Sequence, residues 1–359
     1  MNDTLEIISE AVEVSKSYSS RLGFQTGSTK KGLVQAVDRA SLYIAAGESV
    51  GLVGESGCGK STLGRLLLRL ETPTDGDILF QGEDITRIKG RRLRRKRRQM
   101  QMIFQDPASS LNPRFTVENT LTEAITAHKK NLRGRALKAH IAALLNMVGL
   151  PVSSLDRNPH QFSGGEKQRI AIARSLAVEP KFIIADEPVT ALDLASQEQI
   201  LSLLESVQRE LKVAFLFIVH DMKTVRRMCN RTAVMYLGRI VECAPTDLLF
   251  KTPKHPYTNA LMLSQLSKNP DLRENLHLLP GEPPSPLDPP TGCHFHPRCP
   301  YTDMRCKTLV PQPRPVGENH WVRCHYDFEG NQKSAPKGID APDLVPEKKP
   351  PKRSKLKKK

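Results

Sequence analysis

At 359 residues the chain is longer than one ordinary hydrophobic core organises, so two or more units are expected. Its net charge of +16 would suit nucleic acid or an anionic membrane. However, nine Lys or Arg fall within Arg87 to Arg98 and eight within Lys348 to Lys359, with no acid in either segment, which excludes a uniformly basic body and leaves two basic appendages.

Met1 to Glu10 is mildly acidic and lacks a long apolar region, so no signal peptide is expected. The longest strongly apolar run, Val213 to Val219, is seven residues, against roughly 20 for a membrane-spanning helix. A chain that is soluble, or peripheral to a membrane, is the expectation. Seven cysteines without an export signal imply a reducing compartment, where clustered cysteines more often hold metal than form disulfides.

In chain order, Leu5 to Tyr18 suits a strand, Ser19 to Lys31 a polar loop, and Val34 to Ile44 a second strand. Gly47 marks a turn before the apolar run Ser49 to Val53. That run feeds GESGCGKST, which is Gly54, Glu55, Ser56, Gly57, Cys58, Gly59, Lys60, Ser61 and Thr62. An apolar-periodic helix with Leu63, Leu66, Leu67 and Leu70 follows. Strand, glycine loop and helix stand in the order of a phosphate-binding loop. Gly54, Gly57 and Gly59 let several N–H groups converge on one anion, and the helix start adds its positive end. Lys60 reaches the outer phosphates, and the Ser61 hydroxyl suits Mg²⁺. Tyr18, and after it Phe24, is the candidate to stack on a purine base, although packing alone would also explain either aromatic.

Thr72 to Gly76 is a turn and Gly76 to Phe80 a strand. The run Arg87 to Arg98 reads most plainly as a solvated helix face, with anionic lipid headgroups or RNA as its functional alternative. Asn112 to Val178 is mostly helical, including Ala136 to Val148 and Glu166 to Leu176. Ser163, Gly164 and Gly165 open the second of these and make another anion-binding helix start. Phe182 to Ala185 is a buried strand delivering Asp186 and Glu187 at its C-terminal edge, where open α/β sheets place ligands. Asp186 would hold Mg²⁺; Glu187, on the opposite side of the pleat, would orient a water for attack on the terminal phosphate. Gln197 to Glu210 is a helix. Val213 to Val219 is a second buried strand, bringing His220 to the same edge as a phosphate contact.

The order of phosphate loop, Gln105, FSGGE, IIADE, ALD and strand-end histidine resembles the nucleotide-binding subunit of ATP-binding-cassette (ABC) transporters, over roughly Leu5 to Gly238. The resemblance implies an α/β P-loop NTPase cassette with a mixed sheet core, a helical subdomain at about 107–179 and an antiparallel β subdomain. It makes Gly54 to Thr62 the Walker A loop and Gln105 the glutamine that touches Mg²⁺ and the attacking water and relays to a membrane subunit. Ser163, Gly164 and Gly165 become the signature that completes a partner's site; Asp186 and Glu187 the Walker B pair; Asp193 the D-loop; His220 the switch histidine. Glu166 departs from the family's usual glutamine, which a helix N-terminus tolerates. Two such subunits would close head to tail around ATP.

FQDPASSLNPR (Phe104 to Arg114), KHPYT (Lys254 to Thr258), a proline-rich stretch and CHFHPRCP resemble the dipeptide, oligopeptide and nickel importers' ATPase subunits. A cassette at 1–245, an extension at 246–328 and a disordered basic tail at 329–359 are therefore expected. Cys293, Cys299, Cys306 and Cys324 can complete a [4Fe–4S] or a Zn site; the resemblance implies the cluster, while His294, His296, His320 and His325 leave zinc open. Cys229 and Cys243 are isolated. The implied partners are a homologous ABC ATPase, two transmembrane permease subunits and, indirectly, a substrate-binding protein, at the cytoplasmic face of the inner membrane, with no direct nucleic acid. The alternative is a soluble ABC-type ATPase acting on nucleic acid or ribosomes, to which the basic segments would belong.

Overall fold

A computed structural model describes residues 6–21, 31–127, 131–266, 281–329 and 332–334. Phe24 lies outside them, as does the expected tail from 335 onward.

Two long strands, β1 (Ile7–Arg21) and β2 (Lys31–Ala45), pair antiparallel through several register shifts. They run further than the apolar pattern suggests, because their polar ends continue the backbone ladder without needing a core. β3 (Ser49–Val53) enters a second sheet and leads through the glycine loop into α1 (Lys60–Leu67). β4 (Asp75–Phe80) returns to β1, and β5 (Glu83–Asp84) completes a four-stranded sheet in the order β2-β1-β4-β5.

The basic run forms α2 (Gly90–Arg97), which has no buried residue, as a solvated face requires. Arg92 and Lys96 pair with Glu83 at 2.8 and 2.5 Å. After β6 (Met100–Ile103) come α3 (Pro107–Ser110), α4 (Val117–Thr126), α5 (Gly134–Met147) and α6 (Gly164–Leu176), the expected helical region. β7 (Phe182–Asp186), α7 (Leu194–Leu211), β8 (Ala214–Ile218), α8 (Met222–Met228), β9 (Arg231–Tyr236) and β10 (Arg239–Pro245) follow. α7 begins three residues before the expected Gln197, because Asp193 accepts the Ser196 N–H and caps it.

The main sheet has eight strands in the order β11-β12-β10-β9-β3-β8-β7-β6, of which β9, β3, β8, β7 and β6 are parallel. Each central strand is buried on both faces, and successive residues serve different cores. Ile184, Leu216 and Leu52 pack with α1 and the antiparallel sheet, whereas Ile183, Ala185 and Phe217 pack with the helices. Full burial of such side chains is worth about 1.5–3 kcal/mol each.

The C-terminal part is α9 (Thr246–Lys251), α10 (Pro256–Leu266), α11 (Met304–Thr308), β11 (Arg314–Gly317), β12 (His320–Val322) and a hairpin of β13 (Asp327–Glu329) with β14 (Gln332–Ser334). β12 adds to β10, so the extension continues the main sheet. Gln332 to Ser334, which fall within the expected tail, pair with Asp327 to Glu329. Glu242, fully buried on β10, holds the junction by accepting the Lys254 N–H at 2.7 Å, the His255 N–H at 2.8 Å and His320 Nε2 at 2.8 Å. A buried carboxylate is tolerable when its lone pairs are satisfied in this way.

His255 accepts the Tyr257 N–H on Nδ1 at 3.0 Å, and burial pushes its imidazole down to about 3. The unfolded chain therefore takes up this proton first. The contribution is complete above an ordinary histidine pKa of about 6.5 and is lost as pH falls toward 3. We expect the thermal midpoint to drop on acidification from pH 7 to 4, and His255→Gln to flatten that drop while lowering stability at pH 7. An unaltered slope would remove His255 as a contributor.

Candidate functional site

The glycine loop is wedged between two carbonyl groups. A Cβ on Gly54 (φ +154) would stand 2.1 Å from the Met235 oxygen, and one on Gly59 (φ +109) 2.1 Å from the Ala36 oxygen. Gly57 (φ +76) has open space around it, so conformation alone demands glycine there. Gly59 is the N-cap of α1 and offers no side-chain acceptor, and the first turn of α1, with Ser61 and Thr62, contains no acid. Its leading N–H groups and the helix dipole are thus directed at an external anion.

Lys60 is 6% exposed and donates to the Gly54 and Glu55 carbonyls at 2.8 and 3.0 Å. These neutral acceptors belong to the loop itself and are readily exchanged for phosphate oxygens. Cys58 Sγ stands 3.9 Å from the same ammonium, and burial pushes its thiol up. Ser56 is exposed at the loop's outer bend.

Ser61 Oγ donates to Asp186 Oδ1 at 2.9 Å. Burial raises the Asp186 carboxyl, the Ser61 hydrogen bond opposes that rise, and the neighbouring Glu187 charge adds to it. A desolvated carboxylate beside a hydroxyl and a second acid is relieved by a hard cation, so these oxygens fit Mg²⁺.

Glu187 reaches the site by a different route from strand alternation. β7 ends at Asp186, and Glu187 adopts a left-handed φ of +47 with its N–H donating to the Ile218 carbonyl at 2.8 Å. This turn presents Glu187 Oε2 to Gln105 Nε2 at 3.0 Å and to His220 Nδ1 at 3.8 Å. Gln105 follows β6, and His220 lies just beyond β8, so the ends of three adjacent parallel strands supply this cluster.

Ser163 caps α6 in a reciprocal box. Glu166 Oε2 accepts the Ser163 N–H and Oγ–H at 2.9 Å each, and Ser163 Oγ accepts the Glu166 N–H at 3.3 Å. These bonds hold the Glu166 carboxyl below the usual range. A Cβ on Gly164 would lie 3.2 Å from Leu192, and one on Gly165 3.1 Å from Ser196 Oγ, so this turn packs against the Asp193-capped start of α7. Tyr18 lies on β1 opposite Val34, with Lys16 Nζ 4.9 Å from its ring centroid.

Cys293, Cys299, Cys306 and Cys324 line one enclosed cavity of ≈ 10 Å³, with His296 and His325 beside them. Burial pushes the Cys293 and Cys324 thiols up to about 12. His294 and His320 are used elsewhere: His294 contacts the Leu237 carbonyl and Asp38, and His320 contacts Glu242. The donor set fits a thiolate-bound metal group in number and kind. The cavity is too small for a cluster, since it holds at most one water, and among the described residues no group of three or more His, Cys, Asp or Glu stands ready around a metal ion.

Two residues of the nucleotide loop's surroundings fall in the KHPYT and CHFHPRCP motifs, which the sequence singled out without giving either residue a role at the loop. Tyr257 Oη accepts the Glu55 N–H at 2.9 Å, and Arg298 grips the Glu55 carboxylate with bonds of 2.7 and 3.0 Å. Both come from more than 200 residues downstream.

Residues 37–190 match the family described as ABC transporter, and residues 241–306 match the oligopeptide/dipeptide transporter C-terminal region. The oligopeptide transport ATP-binding protein AppF of Bacillus subtilis is 45% identical over 325 residues, covering 89% of this chain and 97% of that protein. A dimeric ATP-binding cassette, MJ0796, in a post-hydrolysis state with ADP and Pi, superposes with a TM-score of 0.58 at 28% identity, covering 67% of this chain and 99% of that one. CbiO1 of Clostridium perfringens, part of the ABC transporter complex cbiONQ, gives 0.59 at 25% identity, covering 75% and 96%.

The capping geometry predicts that Glu166→Ala lowers stability by about 1 kcal/mol, a typical helix-cap loss, while Glu166→Gln keeps an oxygen acceptor and stays near neutral. Urea titration checks this; equal losses in the two variants would assign the effect to charge instead.

Proposed function

This chain belongs to the ABC transporter family, and from that premise we propose that it is the ATP-binding and ATP-hydrolysing subunit of an importer of di- or oligopeptides. The observation that carries the catalytic part is the meeting of Gln105 and His220 on one oxygen of Glu187, beside the Ser61–Asp186 pair.

The loop N–H groups and Lys60 receive the triphosphate. Ser61 and Asp186, with Gln105, would hold Mg²⁺, which supplies neutralisation of charge on the phosphate oxygens. Glu187 orients the attacking water and accepts its proton. The water oxygen bonds to the γ-phosphorus as the bond to the β–γ bridging oxygen breaks, leaving ADP and phosphate. Gln105 holds the Glu187 carboxylate in place through its hydrogen bond, and His220 stands beside the same oxygen at 3.8 Å, where it can contact the terminal phosphate.

Ser163, Gly164 and Gly165 form a helix start with no phosphate loop of its own, which suits completion of a partner cassette's site. Closure of two cassettes is then stabilised by the γ-phosphate and lost on hydrolysis. The permease subunits would dock in the open groove of ≈ 390 Å³ lined by Met100, Met102, Phe104, Thr120, Glu123 and Arg174. Gln105 is the next residue after Phe104, so the groove floor connects directly to Glu187. Among the described residues no helix is long and apolar enough to cross a membrane, and peripheral attachment to the cytoplasmic face of the inner membrane follows from docking on such partners. The relatives matched favour an importer over a cassette acting on nucleic acid or ribosomes. The four-cysteine site is read as the holder of a [4Fe–4S] cluster, with zinc as the second reading. The cluster requires the cysteine segments to part, and no catalytic step depends on the site.

Glu187→Gln is expected to bind ATP with wild-type affinity and to lose about 100-fold or more in hydrolysis, as removal of a general base does. A wild-type turnover would sink the assignment. Anaerobic purification followed by iron, sulfide and zinc analysis should find one metal group per chain, abolished by Cys299→Ser. Metal-free, fully reduced protein would remove the site.

A further inference from the structure

Glu55 is the first bend of the phosphate loop, between Gly54 (φ +154) and the Ser56–Gly57 turn. All three of its polar parts are held. Its carbonyl accepts Lys60 Nζ at 3.0 Å, its N–H donates to Tyr257 Oη at 2.9 Å, and its carboxylate accepts both terminal nitrogens of Arg298 at 2.7 and 3.0 Å. The Lys60 bond is local and is exchanged when phosphate arrives. The other two come from the C-terminal extension.

The supports of those two residues are rigid. Tyr257 is fully buried and packs with Tyr236 and Phe295 at ring-centroid distances of 4.7 and 5.4 Å. Arg298 closes the single turn His296–Arg298, whose backbone bonds run from the His296 N–H to the Cys293 carbonyl and from the Arg298 N–H to the Phe295 carbonyl. Its guanidinium lies 6.0 Å from the Tyr236 ring centroid, and the residue is 6% exposed. A buried guanidinium with a fork-to-fork carboxylate partner is a directional device more than a source of stability, since desolvation offsets much of the attraction. Its direction here is fixed on the loop that must receive the triphosphate. The same pair also cancels a negative charge next to the phosphate site.

We propose that Arg298 is a positioning residue of the nucleotide site: through Glu55 it holds the phosphate loop in its receiving shape, making the C-terminal extension a working part of ATP binding. The pocket cysteines Cys293 and Cys299 flank this turn, so any change in their spacing moves Arg298 and, by linkage, the loop.

The inference rests on ATP as the ligand of the loop. The test uses the full-length chain, with equilibrium binding of a fluorescent ATP analogue and steady-state hydrolysis. Wild-type binding that Lys60→Ala abolishes secures the underlying reading; wild-type protein that binds no ATP overturns that reading itself. Arg298→Ala is expected to weaken nucleotide binding and raise KM by about tenfold, equivalent to one charge-assisted contact, with kcat within threefold. Glu55→Ala, at a quarter-exposed loop position whose removal leaves the extension's core intact, should produce a similar rise. The double variant should be no worse than Arg298→Ala alone, because both act through one contact. Unchanged affinity in folded Arg298→Ala, or effects that multiply in the double variant, would overturn the proposal. If Arg298→Ala does not fold, unchanged affinity in Glu55→Ala overturns it equally.

Discussion

The phosphate loop is closed in by backbone on both sides, and much of the molecule's organisation follows from that. The Met235 carbonyl of β9 and the Ala36 carbonyl of β2 stand where the side chains of residues 54 and 59 would be. One carbonyl comes from the parallel sheet and the other from the antiparallel one. The loop is therefore the point where the two sheets are held at a fixed separation. α1 then runs between them, with Leu63, Leu66 and Leu67 in the core they share. Close packing fixes the two ends of the loop at Gly54 and Gly59, while its outer bend at Ser56 and Gly57 stays open.

Buried charge does the joining elsewhere. Asp38 on β2 bonds Arg239 on β10 at 2.5 Å, and Glu48 ahead of β3 bonds Arg231 on β9 at 2.8 Å. Glu242 gathers two backbone N–H groups and His320 at the root of the extension. Breaking a buried pair by removing one partner typically costs about 3–5 kcal/mol, whereas exposed pairs such as those of α2 contribute little. These contacts also specify register: each demands one residue against one partner, where apolar strands alone would tolerate alternatives. The result is that the extension is stitched to β2, β10 and the phosphate loop at separate places, and motion in any of these is felt in the others.

The three strand ends that form the hydrolytic cluster illustrate a second constraint. β6, β7 and β8 are neighbours in the sheet, so Gln105, Glu187 and His220 meet without any contact between them in sequence. Asp186 stays in the strand and faces Ser61, while the left-handed turn at Glu187 swings the adjacent carboxylate toward the other two groups. Two consecutive acids thereby take different tasks, one desolvated for a cation and one hydrogen-bonded for a water.

Apolar runs bounded by glycine or acid located β3, β7 and β8 in the sequence, because a strand buried on both faces has little freedom in composition. The glycine loop, the Asp186–Glu187 edge and the Ser163 helix start were equally legible, since each is a local motif whose chemistry is carried by neighbours in the chain. The sequence also placed four cysteines in one segment, and their order resembled a known extension. What it could not contain was contact across distance. The left-handed φ at Glu187, the burial of His320 on Glu242 in place of the cysteine pocket, and the grip of Arg298 on Glu55 depend on which strands become neighbours. Those are decided only when both sheets have packed. The sequence alone thus determined that this chain has a phosphate loop and an acid edge to serve it; the tertiary structure decided that the loop is held from the far end of the chain, because only there does a buried guanidinium meet its carboxylate.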